Sequence, residues 1–186
     1  MRTHSFLPRP VLLLVAGAAF AAFAFAPSRA DAQIPKEGQV AIGLGGGVVF
    51  PFDSSVSTGW DVGAEFDWYL FSKRAGLRGT MAYTSSGTDL AESPSRSMGY
   101  LLASAFYEFS HGTIVPYAVG GVGFYVVDPP YGSRTVRVGA HAGAGVAFYF
   151  RRRIALTGEV LVHGLGSVEG LTSSFVTTNA GIRYYF

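Results

Sequence analysis

From residue 39 onward the chain alternates apolar and polar residues one by one, the period of a β-strand whose two faces meet different surroundings. One stretch sets Trp60, Val62, Ala64, Phe66, Trp68 and Leu70 against Asp61, Gly63, Glu65, Asp67 and Tyr69. The next sets Leu77, Gly79, Met81 and Tyr83 against Gly76, Arg78, Thr80 and Ala82. A third runs Val138, Ala140, Ala142, Ala144, Val146, Phe148 and Phe150 against Arg137, Gly139, His141, Gly143 and Gly145. The last puts Val176, Thr178, Ala180, Ile182, Tyr184 and Phe186 on one face and Thr177, Asn179, Gly181 and Arg183 on the other. Helical spacing is absent. Such runs predict eight strands, over residues 39–50, 59–70, 75–85, 97–109, 115–127, 135–150, 154–164 and 174–186. The faces of the fifth stay undefined: Pro116 fits only a strand start, and Gly120-Gly121-Val122-Gly123 blurs the alternation.

The connections alternate too. Residues 51–58, 86–96, 128–134 and 165–173 are long and rich in Ser, Pro, Gly and Asp, whereas Phe71–Arg74, Ser110–Ile114 and Arg151–Arg153 are short. An even strand count joined alternately by short and long loops predicts an all-β fold, an eight-stranded antiparallel up-and-down β-barrel with both termini on the short-turn side.

Alternation alone does not say which face is outside. A soluble barrel would turn its apolar face inward and show water a surface of mixed charge. Here the polar face is mostly Gly, Ala, Ser and Thr, and past residue 32 the chain has just two lysines, Lys36 and Lys73. The composition agrees: 49% hydrophobic and 14% charged, against about 25% charged in ordinary soluble domains. Mean hydropathy is +0.31. The apolar face ends in aromatics, Trp60 and Tyr83 near one rim and Trp68, Tyr107, Phe148, Phe150, Tyr184 and Phe186 near the other, as the two lipid–water levels of a transmembrane barrel require. The polar side chains then face the lumen: Asp61, Glu65, Asp67, Arg78, Thr80, Glu108, Arg137, His141, Glu159, Asn179 and Arg183. In so narrow a space they must pair with one another. Counting back from a hairpin at Phe71–Arg74 sets Asp67 opposite Arg78 and Glu65 opposite Thr80.

Residues 1–32 read as a cleaved signal peptide, leaving 33–186 as the barrel domain. Arg2 and Arg9 form a basic start, Val11 to Phe25 is apolar, and Ala30-Asp31-Ala32 offers small residues for cleavage after Ala32. The chain has 14 Lys and Arg against 12 Asp and Glu, but the leader holds Arg2, Arg9 and Arg29 against Asp31, so residues 33–186 are balanced in charge. The isoelectric point near 9.0 is therefore no argument for nucleic acid, which is not expected as a partner. No cysteine is present, which excludes disulfides and thiolate metal sites.

The Ala-x-Ala site at Ala30 and Ala32, Val115-Pro116-Tyr117 leading into the glycine-rich fifth strand, and the ending Ala180-Gly181-Ile182-Arg183-Tyr184-Tyr185-Phe186 carry a resemblance. Over residues 39–186 the chain resembles the small eight-stranded bacterial outer-membrane β-barrels, the group of the OmpA transmembrane domain, OmpX and opacity-type proteins. The resemblance implies an outer-membrane location, outer-membrane lipids including lipopolysaccharide as surroundings, and loops that face the exterior and meet a surface ligand not identified by the sequence. It also implies that Ile182, Tyr184 and Phe186 act as the signal read by the barrel-assembly machinery. No periplasmic peptidoglycan-binding domain is expected.

Chemical motifs are missing: there is no His-Glu-x-x-His, Gly-x-Ser-x-Gly, phosphate loop or dinucleotide fingerprint. Gly43–Gly47 and Gly120–Gly123 fall within strands, where they serve curvature and packing. His163, Ser167 and Glu169 fall at the end of the seventh strand and in the loop after it, and a Ser with a His base and an acid could cleave an ester. Barrels that deacylate lipid A follow their His with x-Ser-Asn, however, and this chain reads His163-Gly164-Leu165-Gly166-Ser167. Neither an enzyme nor a cofactor is expected. The short turns hold Lys73, Arg74 and Arg151-Arg152-Arg153 without an acid, while the long loops hold Asp53, Asp89, Glu92, Asp128 and Glu169 against Arg96 and Arg134. These read as solvated loop charges and inner-leaflet anchors. The expected role is a non-enzymatic structural or surface-interaction one; the alternatives are a lipid A deacylase-like hydrolase and a narrow, poorly conducting channel.

Overall fold

Backbone N–H and C=O groups facing hydrocarbon must bond to one another, and strands achieve this only by closing on themselves. In a computed structural model, which describes residues 36–52, 56–88, 96–128, 133–166 and 174–186, the chain does so. The strands are β1 (Val40–Pro51), β2 (Val56–Trp68), β3 (Ala75–Thr88), β4 (Arg96–Glu108), β5 (Ile114–Asp128), β6 (Thr135–Arg151), β7 (Ile154–Leu165) and β8 (Ser174–Tyr185). Each pairs antiparallel with the next, and β8 pairs with β1, giving a closed barrel. The seam is fastened beyond the strands: the Phe186 N–H donates to Val40 O at 3.0 Å, and Gln39 Nε2 donates to Phe186 O at 3.0 Å. Ala30, Ala32, Asp53, Asp89, Glu92, Ser167 and Glu169 lie outside the described residues.

Strand ends differ from the sequence expectation by one to three residues. β2 begins at Val56, three residues early, with a register shift between Val56 and Gly59. β3 continues to Thr88, and β6 ends at Arg151 with a shift after Tyr149. At such ends both faces leave the apolar zone, so alternation fades while backbone pairing continues. β5, whose faces the sequence leaves undefined, turns Val115, Tyr117, Val119, Tyr125 and Val127 inward and Pro116, Val122 and Phe124 outward. Pro116 sits just past the last β4–β5 pair, Glu108 opposite Tyr117, where the ladder needs no donor from it.

Between the two aromatic levels, the described outward positions carry no Asp, Glu, Lys or Arg, and residues such as Leu44, Met81 and Val138 stand exposed. An apolar exterior this extensive marks a surface made for lipid. Trp60 meets Tyr83 at 5.6 Å at one level, and Tyr184 meets Phe186 at 5.0 Å at the other.

The interior is more aromatic than the alternation suggests. Tyr69, Phe106, Tyr117, Tyr149 and Tyr185 fill the short-turn half, and Met98, Tyr100, Leu102, Tyr125 and Phe175 fill the long-loop half. They occupy room left by inward glycines, a small-against-large complementarity common in narrow barrels. Phe106 lies opposite Gly76, and Tyr117 opposite Gly145. A Cβ at Gly145 would fall 2.5 Å from the Tyr117 ring and 2.6 Å from Gly158 O. Outward Gly158 has nothing within 4 Å of such a Cβ. Gly145→Val is therefore expected to cost about 1–3 kcal/mol in urea unfolding of the refolded barrel, and Gly158→Ala close to nothing.

Candidate functional site

The centre of the lumen is an ionic network drawn from four strands. β2 supplies Glu65 and Asp67, β3 supplies Arg78, β7 supplies Glu159 and β8 supplies Arg183. Arg78 grips Asp67 through Nε–Oδ1 at 2.6 Å and Nη2–Oδ2 at 3.1 Å, and donates Nη1 to Glu159 Oε2 at 2.7 Å. Arg183 donates Nη2 to Glu65 Oε2 at 2.9 Å. Its Nε lies 3.1 Å from Asp67 Oδ2, an ion-pair distance, but off the direction of a hydrogen bond. Asp67 thus serves both guanidiniums, which are 3% and 2% exposed. The Tyr117 ring closes the network on one side, 5.2 Å from Arg78 Cζ and 5.6 Å from Arg183 Cζ, at cation–π range.

The local sequence makes the long reach possible. Gly43 of β1 stands in register between Arg183 and Glu65. With no side chain there, Arg183 passes over β1 to its partner on β2. Gly47 stands likewise between Asn179 and Asp61. Tyr100 Oη donates to Asp61 Oδ2 at 2.6 Å. Asp61, Glu65, Thr80, Tyr100, Glu159 and Asn179 line a cavity of about 30 Å³, room for little more than water.

Toward the long loops, His163 stacks on Phe175 at 4.4 Å and lies 5.8 Å from the His141 ring. Both its nitrogens are engaged, Nδ1 with Tyr125 Oη at 3.0 Å and Nε2 with Thr177 Oγ1 at 3.2 Å. His141 Nε2 lies 2.8 Å from Ser104 Oγ. Arg137 faces the lumen in the same half, half-buried, opposite Tyr125. Toward the short turns, Glu108 accepts from Tyr69 Oη at 2.7 Å and Tyr149 Oη at 3.4 Å, and Tyr149 Oη lies 2.8 Å from Tyr185 Oη.

Of the polar residues read from the sequence, Glu65, Asp67, Arg78, Glu159 and Arg183 come together. Asp61, Thr80 and Asn179 border the cavity, Glu108 lies below, and His141 and Arg137 lie above. Alternation does not identify Tyr69, Tyr100, Tyr117, Tyr149 and Tyr185 as partners of these groups. Their inward parity is the available signal, masked because tyrosine also suits the lipid–water level.

Of the hydrolase constellation, His163 is fully buried in the lumen with both nitrogens occupied, while Ser167 and Glu169 lie outside the described residues. Ser104 and His141 stand at the distance of a nucleophile and its base. They are themselves buried, and His141 Nδ1 has no hydrogen-bond partner to orient the ring. Among the described residues, no three His, Asp or Glu are grouped to hold a metal ion.

A closed eight-stranded barrel, apolar outside and ion-paired within, is the fold of the small transmembrane β-barrels of bacterial outer membranes. Neisserial surface protein A is one such neighbour, with a TM-score of 0.62 at 18% identity over 79% of this chain and 97% of its own. The outer membrane protein OprG of Pseudomonas aeruginosa is another, with a TM-score of 0.61 at 14% identity over 84% of this chain and 99% of its own. The outer membrane enzyme PagL aligns with a TM-score of 0.51 at 12% identity over 77% of this chain and 98% of its own. Identities this low establish the fold alone. No protein-family profile matches the chain, nor does the sequence of any characterised protein.

The network carries an ordered prediction. Arg78→Leu is expected to cost about 3–5 kcal/mol, because carboxylates are left buried without their cation. Asp67 keeps Arg183, so the stranded acid is Glu159. Adding Glu159→Leu should recover most of the loss, and adding Asp67→Leu less. Urea unfolding of the refolded single and double variants, followed by the heat-dependent gel shift, measures the non-additivity.

Proposed function

We propose that the protein is an integral outer-membrane barrel with a non-enzymatic structural or surface-interaction role. Its long loops face the exterior and its short turns the periplasm, and it is exported through a leader cleaved after Ala32. The observation that carries this reading is the state of the lumen. Two buried guanidiniums, three carboxylates and an aromatic layer above and below fill the bore with groups already committed to one another. A conducting pathway needs water along its axis, and a hydrolase needs a base that reaches lipid; the lumen favours neither. What stays free is the outer wall, which meets outer-membrane lipids including lipopolysaccharide, and the loops, which meet the outside.

Two experiments test this. In planar bilayers the purified protein should give no stable, large single-channel steps, and cells overproducing it should show unchanged lipid A acylation. Regular large conductance, or lipid A deacylation, would overturn the reading in favour of the channel or the hydrolase.

The outward alternation Ile182, Tyr184, Phe186 supports recognition by the barrel-assembly machinery, since all three side chains are exposed on the outer face of the chain end that pairs with β1. Phe186→Ser should therefore lower the amount reaching the outer membrane in cells while the purified variant still refolds in detergent.

A further inference from the structure

The short-turn end of the barrel carries positive charge that the described structure does not neutralise. Lys73 and Arg74 lie in the β2–β3 turn, Arg151, Arg152 and Arg153 at the β6–β7 turn, and Lys36 ahead of β1. Glu37 is the exposed acidic side chain at that end, Glu108 being buried in the lumen, and none of these cations joins an ion pair among the described residues. Lys73 and the three consecutive arginines are exposed. Arg74 Nε instead donates to His111 Nε2 at 2.7 Å, joining two neighbouring turns.

The position of this collar selects its partner. Directly beside it runs the exposed aromatic belt of Trp68, Tyr107, Phe150 and Tyr184. Such belts sit where hydrocarbon gives way to headgroups, so cations one to six residues beyond them lie at the level of lipid phosphates. Arg153 leans outward along the wall, with Nη1 donating to Tyr184 Oη at 3.4 Å, and Phe71 in the same turn as Lys73 is 60% exposed. The cations thus border lipid. We propose that this rim is a binding surface for anionic diacyl phospholipids of the inner leaflet, held by their phosphodiester groups against Lys73, Arg74 and Arg151–Arg153. The proposal rests on the membrane reading above and adds a leaflet and a lipid class to it.

The test uses the protein refolded into vesicles of phosphatidylcholine mixed with phosphatidylglycerol, and native mass spectrometry of the lipids retained on gentle extraction. The rim predicts a several-fold enrichment of phosphatidylglycerol, reduced by high salt and lost when Lys73, Arg74, Arg151, Arg152 and Arg153 are all changed to Gln. If that variant fails to fold, the partial variants Lys73→Gln/Arg74→Gln and Arg151→Gln/Arg152→Gln/Arg153→Gln should each lower the enrichment. Equal retention of the two lipids, or enrichment that survives the substitutions, would overturn the proposal. Binding of inorganic phosphate by the detergent-solubilised protein, without any preference for phosphatidylglycerol over phosphatidylcholine, would show a free-phosphate site and overturn it as well. Failure to insert into vesicles of either composition would count against the membrane reading itself, whereas insertion without preference counts against this inference alone.

Discussion

Two arginines buried in a narrow bore set the terms for the rest of the barrel. Removing a guanidinium from water costs several kcal/mol even after the surroundings relax, and only well-placed carboxylates return it. Arg78 and Arg183 find theirs on strands remote in the chain: Arg78 and Glu159 are 81 residues apart, and Arg183 and Glu65 are 118 apart. The network is therefore a long-range constraint. It ties β3 to β7 across the lumen and β8 to β2 across the closing seam. A bore of packed leucines could be as stable, but it would tolerate many registers. Here, slipping one strand by one residue turns Asp67 or Arg78 toward hydrocarbon, and slipping it by two breaks the opposed pair.

The glycines belong to the same arrangement. Gly43 and Gly47 leave gaps in the β1 wall through which side chains of β8 and β2 face each other. Elsewhere on the wall, Gly76 of β3 and Gly145 of β6 receive the rings of Phe106 and Tyr117. Tyr117 connects the two themes, since the ring that fills the space over Gly145 also covers both guanidiniums. Space and charge are solved by the same rows of residues. A larger side chain at these glycines would displace an ionic or aromatic partner as well as crowd the wall.

How much of this is legible in the sequence depends on how different the two sides of each strand are. β2, β3 and β8 separate lipid-facing aromatics from acids, arginines and small residues, so their inward faces can be read directly. The β2–β3 hairpin register, with Asp67 opposite Arg78, comes from counting back through a short turn. β5 resists such reading because both faces are apolar: Val115, Val119 and Val127 point inward while Val122 and Phe124 point outward. The partners of Arg183 are not readable at all. They depend on the register between β1 and β8, which no turn connects and which closure alone decides. The same holds for Glu159, whose cation comes from a strand four places away.

The division of labour that results bears on where recognition can lie. Inside, hydroxyls, imidazoles and carboxylates largely satisfy one another, as His163 does with Tyr125 and Thr177, leaving little to offer a visitor. Along the outer wall, the absence of charge between the aromatic levels leaves shape and apolar contact, which distinguish one lipid chain poorly from another. Directional chemistry is therefore pushed to the two ends. At one end the backbone turns tightly, so cations on it are held close to the wall and to the headgroup level. At the other the connections are longer and rich in Ser, Pro, Gly and Asp, able to vary in sequence without disturbing the strands that carry them. A scaffold locked from within by five charged side chains is what permits such freedom at its ends.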